Sequence, residues 1–147
     1  MSNRLDVSTI GKNLSGGIHA PALPPGATII SVTQDPAFPE APVQRLALYI
    51  EQSLSSAFQW VVFEPNNPQT WSRIATTADN FMYELFREGR LQGTSPQTAY
   101  FVKCDRTTTT QTDIDNDYVN ILVGFAAVKP AEFYTIRLRE RTGPSPQ

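Results

Sequence analysis

The sequence predicts an α+β domain, with two amphipathic helices packed on a small mixed β-sheet and extended arms at both ends. Three observations carry this. Residues 43–58 and 68–86 place apolar side chains at three- and four-residue steps, the period of a helix with one buried face. The runs 99-AYFVKC-104, 119-VNILVGFAAV-128 and 132-EFYTIRLR-139 have the length and the β-branched and aromatic content of strands. Finally, Gly16, Gly17, Pro21, Pro24, Pro25, Gly26, Pro36, Pro39 and Pro42 break any helix within the first 42 residues. A chain of 147 residues suits one domain with one core. Its expected parts are an extended arm (1–42), the α+β domain with its C-terminal strand arm (43–139) and a disordered tail (140–147).

Inside the arm, 28-TIISVT-33 is a β-favouring run that becomes a strand where a sheet offers an edge. The first helix follows from Leu46, Tyr49, Ile50, Leu54, Ala57 and Phe58 on one face. The short apolar run 60-WVVF-63 is expected as a strand buried on both faces. Asn67-Pro68 is a helix start: asparagine accepts a hydrogen bond from the first turn, and proline lacks the amide that would be left over. Trp71, Ile74, Ala75, Ala78, Phe81, Met82, Leu85 and Phe86 continue that helix as an apolar stripe, with Trp71 and Phe81 expected in the main core. Gly89 is placed to end it in a left-handed conformation. A turn-rich link, 90-RLQGTSPQT-98, leads to the strand at 99–104, and Lys129-Pro130 separates the last two strands. In 132–139 the period is two, with Tyr134, Ile136 and Leu138 on one face and Thr135, Arg137 and Arg139 on the other.

Charge and composition narrow the function classes. Lys and Arg total 12 against 14 Asp and Glu, a formal net charge of −2, with no block of like charge. A general affinity for nucleic acid or anionic membrane is therefore not expected. The single cysteine, Cys104, has no partner for an internal disulfide or a zinc site and fits a reducing cytosol. No apolar run approaches the roughly 18 residues that span a bilayer. The start, MSNRLDVSTIGKN, lacks the apolar centre of a signal peptide, so lysis or a particle is the expected route out of the cell.

Three chemistries have candidate residues or motifs to test against the sequence. Asp113, Asp115 and Asp117 resemble the opening of a calcium loop, but that loop wants glycine at its sixth position and glutamate at its twelfth, where this chain has Tyr118 and Gly124. A nucleophilic Cys104 needs a base, and the only histidine, His19, lies in the arm. No glycine-rich phosphate signature occurs. The expectation is no catalytic residue, no metal and no cofactor, with 101–117 acting as architecture: a strand and a capped connection.

The stretches 45-RLALYIEQSLSSAFQWVVFEPNNPQTW-71, 100-YFVKCDRTTTTQTDIDND-117 and 124-GFAAVKPAEFYTIRL-138 together resemble the C-terminal domain of contractile tail sheath proteins, which build the contracting sleeve of phage tails and related injection systems. The resemblance implies a structural subunit and no enzyme. Its expected partners are copies of itself in hexameric, helically stacked rings, an inner tube, and sheath, cap or baseplate proteins, with no nucleic acid and no direct membrane insertion. It also implies assembly in the cytoplasm into a phage tail or injection-system particle. Neighbours would be linked by β-augmentation, in which main-chain hydrogen bonds supply the linkage. The resemblance implies that 28-TIISVT-33 and 132-EFYTIRLR-139 are both strands donated to neighbouring subunits, through Thr28, Ile29, Ile30 and Val32 in the first and Phe133, Tyr134, Ile136 and Leu138 in the second. A non-contracting cap or baseplate adaptor ring with the same fold is the alternative.

Overall fold

Asn67 starts the central helix, α2 (Pro68–Arg87), by accepting a hydrogen bond from the Thr70 amide at 3.0 Å, with Pro68 in the first position. At the other end Gly89 adopts a φ of 76°, and Arg90 donates its amide to the Leu85 carbonyl at 3.1 Å. This is the left-handed termination that glycine permits without a Cβ clash. The computed structural model containing this helix describes residues 28–31 and 41–144. α1 (Ala41–Ala57) begins two residues ahead of the expected start, because Pro42 fits a helix's first turn, where its missing amide has no partner to lose.

Both helices bury one stripe: Val43, Ala47, Ile50 and Leu54 from α1, and Trp71, Ile74, Ala75, Ala78, Met82 and Leu85 from α2. Several positions expected on the apolar faces lie off these stripes: Tyr49 and Ala57 are exposed, and Leu46, Phe81 and Phe86 are only partly buried. Phe81 is only half-buried and packs at the flank against Tyr49, itself 44% exposed, with ring centroids 5.9 Å apart. The reason is angular: Ala78, Met82 and Leu85 follow the three- and four-residue steps from Ile74 and Ala75, and Phe81 sits about 100° round from Met82.

The expected strand at 60–63 is instead a 3₁₀ helix, Gln59–Phe63. Only Val61 of the run is buried, while Val62 and Phe63 are 44% and 85% exposed. Four apolar residues cannot be divided between strand and helix by periodicity, and here they turn from the end of α1 toward α2. The link before the sheet also contains a short helix, α3 (Pro96–Ala99), and the threonine–aspartate connection contains another, α4 (Gln111–Asp115).

β1 (Thr28–Ser31), β2 (Tyr100–Lys103), β3 (Tyr118–Ala126) and β4 (Glu132–Arg141) form one mixed sheet in the order β1-β4-β3-β2. β3 and β4 are antiparallel over nine residue pairs, from Tyr118 opposite Arg141 to Ala126 opposite Phe133, and β2 is antiparallel to β3. β1 runs parallel to β4, with Ile29 opposite Phe133 and Ser31 opposite Thr135. β4 extends beyond the expected boundary at 139. Thr142 donates its amide to Asp117 at 2.9 Å and Gly143 donates to Glu64 at 2.8 Å, and both residues are buried. Residues 140–143 therefore belong to the fold and not to a disordered tail; 145–147 lie outside the described residues.

One face of the sheet carries Tyr100, Val102, Val119, Ile121, Val123, Phe125, Tyr134, Ile136 and Leu138 into the core shared with the helices. On the other face Phe101 crosses Gly124 and meets Phe133 edge-on, with centroids 5.3 Å apart and planes at 86°. A Cβ on Gly124 would collide with the edge of the Phe101 ring, so any larger residue requires that ring to shift. Asn66 clamps the start of α2 to the sheet. It accepts from the Trp71 indole at 2.6 Å and donates to the Tyr118 carbonyl at 2.8 Å.

Candidate assembly surface

The connection from β2 to β3 is built from its own hydrogen bonds. Thr108 and Thr109 donate their amides to the Asp105 carbonyl at 3.1 and 2.9 Å. Thr110 and Asp113 form a capping box on α4: Asp113 donates its amide to the Thr110 hydroxyl at 3.2 Å, and its carboxylate accepts from the Thr110 amide at 2.9 Å. Asn120, buried in β3, donates to the Thr108 carbonyl at 2.8 Å and to the Asp113 carboxylate at 3.1 Å, which fastens the connection to the sheet. The Thr110 amide, then the Thr110 hydroxyl and the Arg139 guanidinium, hold the Asp113 carboxyl below its usual range.

The three aspartates separate rather than converge. Asp113 serves the cap and Arg139, Asp115 accepts from Gln111 at 2.9 Å, and Asp117 turns the chain into β3 at a φ of 63°. Among the described residues no three histidine, cysteine or acidic side chains gather as metal ligands. Cys104 is buried, and that burial pushes its thiol well above its ordinary range, with Asp105 adding to the effect. His19 lies outside the described residues.

The features open to a partner are strand edges and a basic row. Thr28, Ile29 and Ile30 lie in β1, the outermost strand on one side; Val32 lies outside the described residues. Phe133, Tyr134, Ile136 and Leu138 are all buried in β4, which pairs with β3 on one side and β1 on the other. As the two expected donor strands, these segments differ. In the structure β4 is held within its own chain by the hairpin with β3, whereas β1 is joined by the nine residues 32–40 to α1.

The face of β4 turned away from the helices carries Arg137, Arg139 and Arg141. Arg139 lies 3.3 Å from the Asp113 carboxylate with its guanidinium 4.1 Å from the centre of the Tyr118 ring, and Arg141 donates to the Tyr118 hydroxyl at 3.0 Å. Arg137 is exposed and has no ion pair among the described residues. Lys103, on β2 beyond β3, is buried on this same side of the sheet, which lowers its amine's pKa against a smaller opposing pull from Asp105. The period of two in 132–139 already put the arginines on one face; their extension to Arg141 required β4's true length.

The described residues thus present a buried core, capped connections and a short strand laid along a sheet edge. The chain belongs to the phage tail sheath C-terminal domain family, whose profile matches residues 33–140. It is similar to a chain of the anti-feeding prophage baseplate, solved by cryo-EM with six-fold symmetrisation: identity is 40%, the TM-score is 0.57, and the match covers 69% of this chain and 28% of that one. It is also similar to a chain of an extracellular contractile injection system, the PVC sheath complex in its contracted state, at 39% identity and a TM-score of 0.55, over 66% of this chain and 28% of that one. This chain thus spans little more than a quarter of the length of those two relatives. No curated protein sequence matches it. Among the described residues no helix is long and apolar enough to cross a membrane.

Proposed function

We propose that the chain is a structural subunit of a contractile tail sheath, or of a sheath-like ring around an inner tube, and that it is linked to its neighbours by strand exchange. The observation that carries this is β1. It meets the sheet through a parallel ladder of four residue pairs with β4, at the edge of the sheet, and a proline-containing segment connects it to α1. A strand held in this way is replaceable by the same strand of another copy, because its main-chain bonds are identical in either case. In this joint Thr28, Ile29, Ile30 and Val32 are delivered, and Phe133, Tyr134, Ile136 and Leu138 belong to the strand that receives them. The subunit has no catalytic role. Rings of six, stacking along a tube, and assembly in the cytoplasm into a phage tail or injection-system particle complete the reading.

Ile30→Pro removes one ladder donor from β1 and tests the joint. Circular dichroism should show a folded monomer, and sedimentation should show no assembly. Normal assembly of the variant would refute strand exchange, and an unfolded monomer would mean that β1 serves only its own core. The likeness to a baseplate chain supports a second reading, a non-contracting cap or baseplate adaptor ring. A quantitative gel of purified particles separates the two: many copies per particle mark a sheath, and about six mark a closed ring.

A further inference from the structure

On the sheet face turned away from the helices, Lys103 of β2 lies opposite Leu122 of β3, and Leu122 lies opposite Arg137 of β4. Residues directly opposite share a face, so the two cations flank one leucine, with their Cα atoms two strand spacings, about 10 Å, apart. The rows on either side are closed. Phe101, Gly124 and Thr135 make one, with the Phe101 ring lying across Gly124. Asn120 and Arg139 make the other, and both are tied to Asp113. Lys103 is 2% exposed, yet among the described residues its side chain makes no hydrogen bond or ion pair, and neither does that of the exposed Arg137. No fully buried side-chain nitrogen or oxygen among the described residues lacks a partner, so the Lys103 amine keeps a contact with water at the end of its buried stem.

Building on the reading of the chain as an assembly subunit, but not on strand exchange, we propose that Lys103 and Arg137 form a seat over Leu122 for an aspartate or glutamate side chain of a partner protein. Charge complementarity names the occupant, because no described carboxylate pairs with either cation. Asp113 is paired with Arg139, and Asp105 attracts Lys103 without bonding it while its carboxylate accepts the Thr107 amide at 2.8 Å. Glu132 and Glu140 alternate onto the opposite face of β4. A desolvated cation without a counter-ion costs the isolated subunit stability, and an arriving carboxylate offsets that cost. Arg137 supplies the exposed fork that first meets the carboxylate, and Lys103, its stem already buried, has little side-chain freedom left to lose on binding. A nucleic acid fits this row poorly. It needs a broad basic surface, whereas Arg139 and Arg141 are already engaged with Asp113 and Tyr118 and the chain carries a net charge of −2.

An acetylated hexaglutamate peptide, added at low salt to the whole isolated chain and followed by NMR, tests this. Shift changes should centre on the Leu122 methyls and the Arg137 side chain. Arg137→Gln and Lys103→Met should each weaken binding roughly two- to five-fold, the worth of one ion pair, and Arg90→Gln, beside Tyr49 on the helical layer, should leave it unchanged. Lys103→Met should also leave the melting temperature of the isolated chain equal or higher, since it removes an uncompensated charge. No shift at Leu122, or binding that ignores both substitutions, would overturn the inference. So would a melting temperature lowered by Lys103→Met, which would mean that the amine serves its own chain, or tighter binding of a thymidine hexanucleotide at the same residues. Because binding is read on the isolated chain, a negative result leaves the assembly reading standing; that reading fails separately if the unsubstituted chain does not sediment as an assembly.

Discussion

Asn66→Ala removes a side chain that satisfies two otherwise distant groups. Its carbonyl accepts from the Trp71 indole at 2.6 Å and its amide donates to the Tyr118 carbonyl at 2.8 Å. Trp71 is 3% exposed and Asn66 9%, so water does not readily replace either bond. A buried polar group left without a partner costs about 1–3 kcal/mol. Two such groups, with some relaxation between them, give about 2–5 kcal/mol. At about 2–4 °C per kcal/mol for a domain of this size, the melting temperature should fall by roughly 5–15 °C in a thermal scan followed by circular dichroism. Asn66→Asp should recover only part of the loss, because a carboxylate still accepts from the indole but repels the Tyr118 carbonyl. If Asn66→Ala melted within a degree of wild type, the clamp between α2 and β3 would not be a determinant of this fold.

Met82→Ala should cost about 2–5 kcal/mol, the range for emptying a fully buried site, whereas Phe81→Ala at the flank should cost about 1–2 kcal/mol, as partial burial implies; urea denaturation giving the reverse order would place α2 in the wrong register. Gly124→Ala should destabilise by about 1–3 kcal/mol through collision with Phe101, and Phe101→Leu in the same chain should recover part of the loss; a neutral Gly124→Ala would show that the two aromatic rings yield freely. Asp113, whose carboxyl is held below its usual range, contributes stability that is present above its unfolded value, near 3.9, and lost as pH falls through the folded value. The stability difference between wild type and Asp113→Asn, read from urea midpoints, should therefore be constant above about pH 5 and shrink in acid; a difference that grew in acid would contradict the assignment.

The helices were legible because their signals are local. Asn67-Pro68 and Gly89 mark the ends of α2 by backbone chemistry that needs no tertiary partner, and the apolar stripe between them repeats often enough to define a face. Phe81 misled because it is large and apolar and stands beside that face, and single-residue angular position is set by what the helix packs on. The 3₁₀ helix at 59–63 was illegible for a related reason, since four apolar residues carry no period. The reading of 101–117 as architecture rested on a calcium loop lacking its glycine and glutamate, and the structure shows what those residues do instead: a capping box, an ion pair to Arg139 and a left-handed turn at Asp117. The pairing of β1 with β4 was outside the sequence's reach. Both segments read as strands, but which edge each one meets depends on contacts distant along the chain.

The central claim is that β1 joins subunits, and it is tested most directly by tracing the backbone between Ser31 and Ala41 in a cryo-EM reconstruction of assembled particles. Strand exchange predicts that the strand lying against Phe133–Thr135 of one subunit continues, through residues 32–40, into the α1 helix of a different subunit. Continuity from that strand into the α1 of the same subunit, at every position in the assembly, would contradict it.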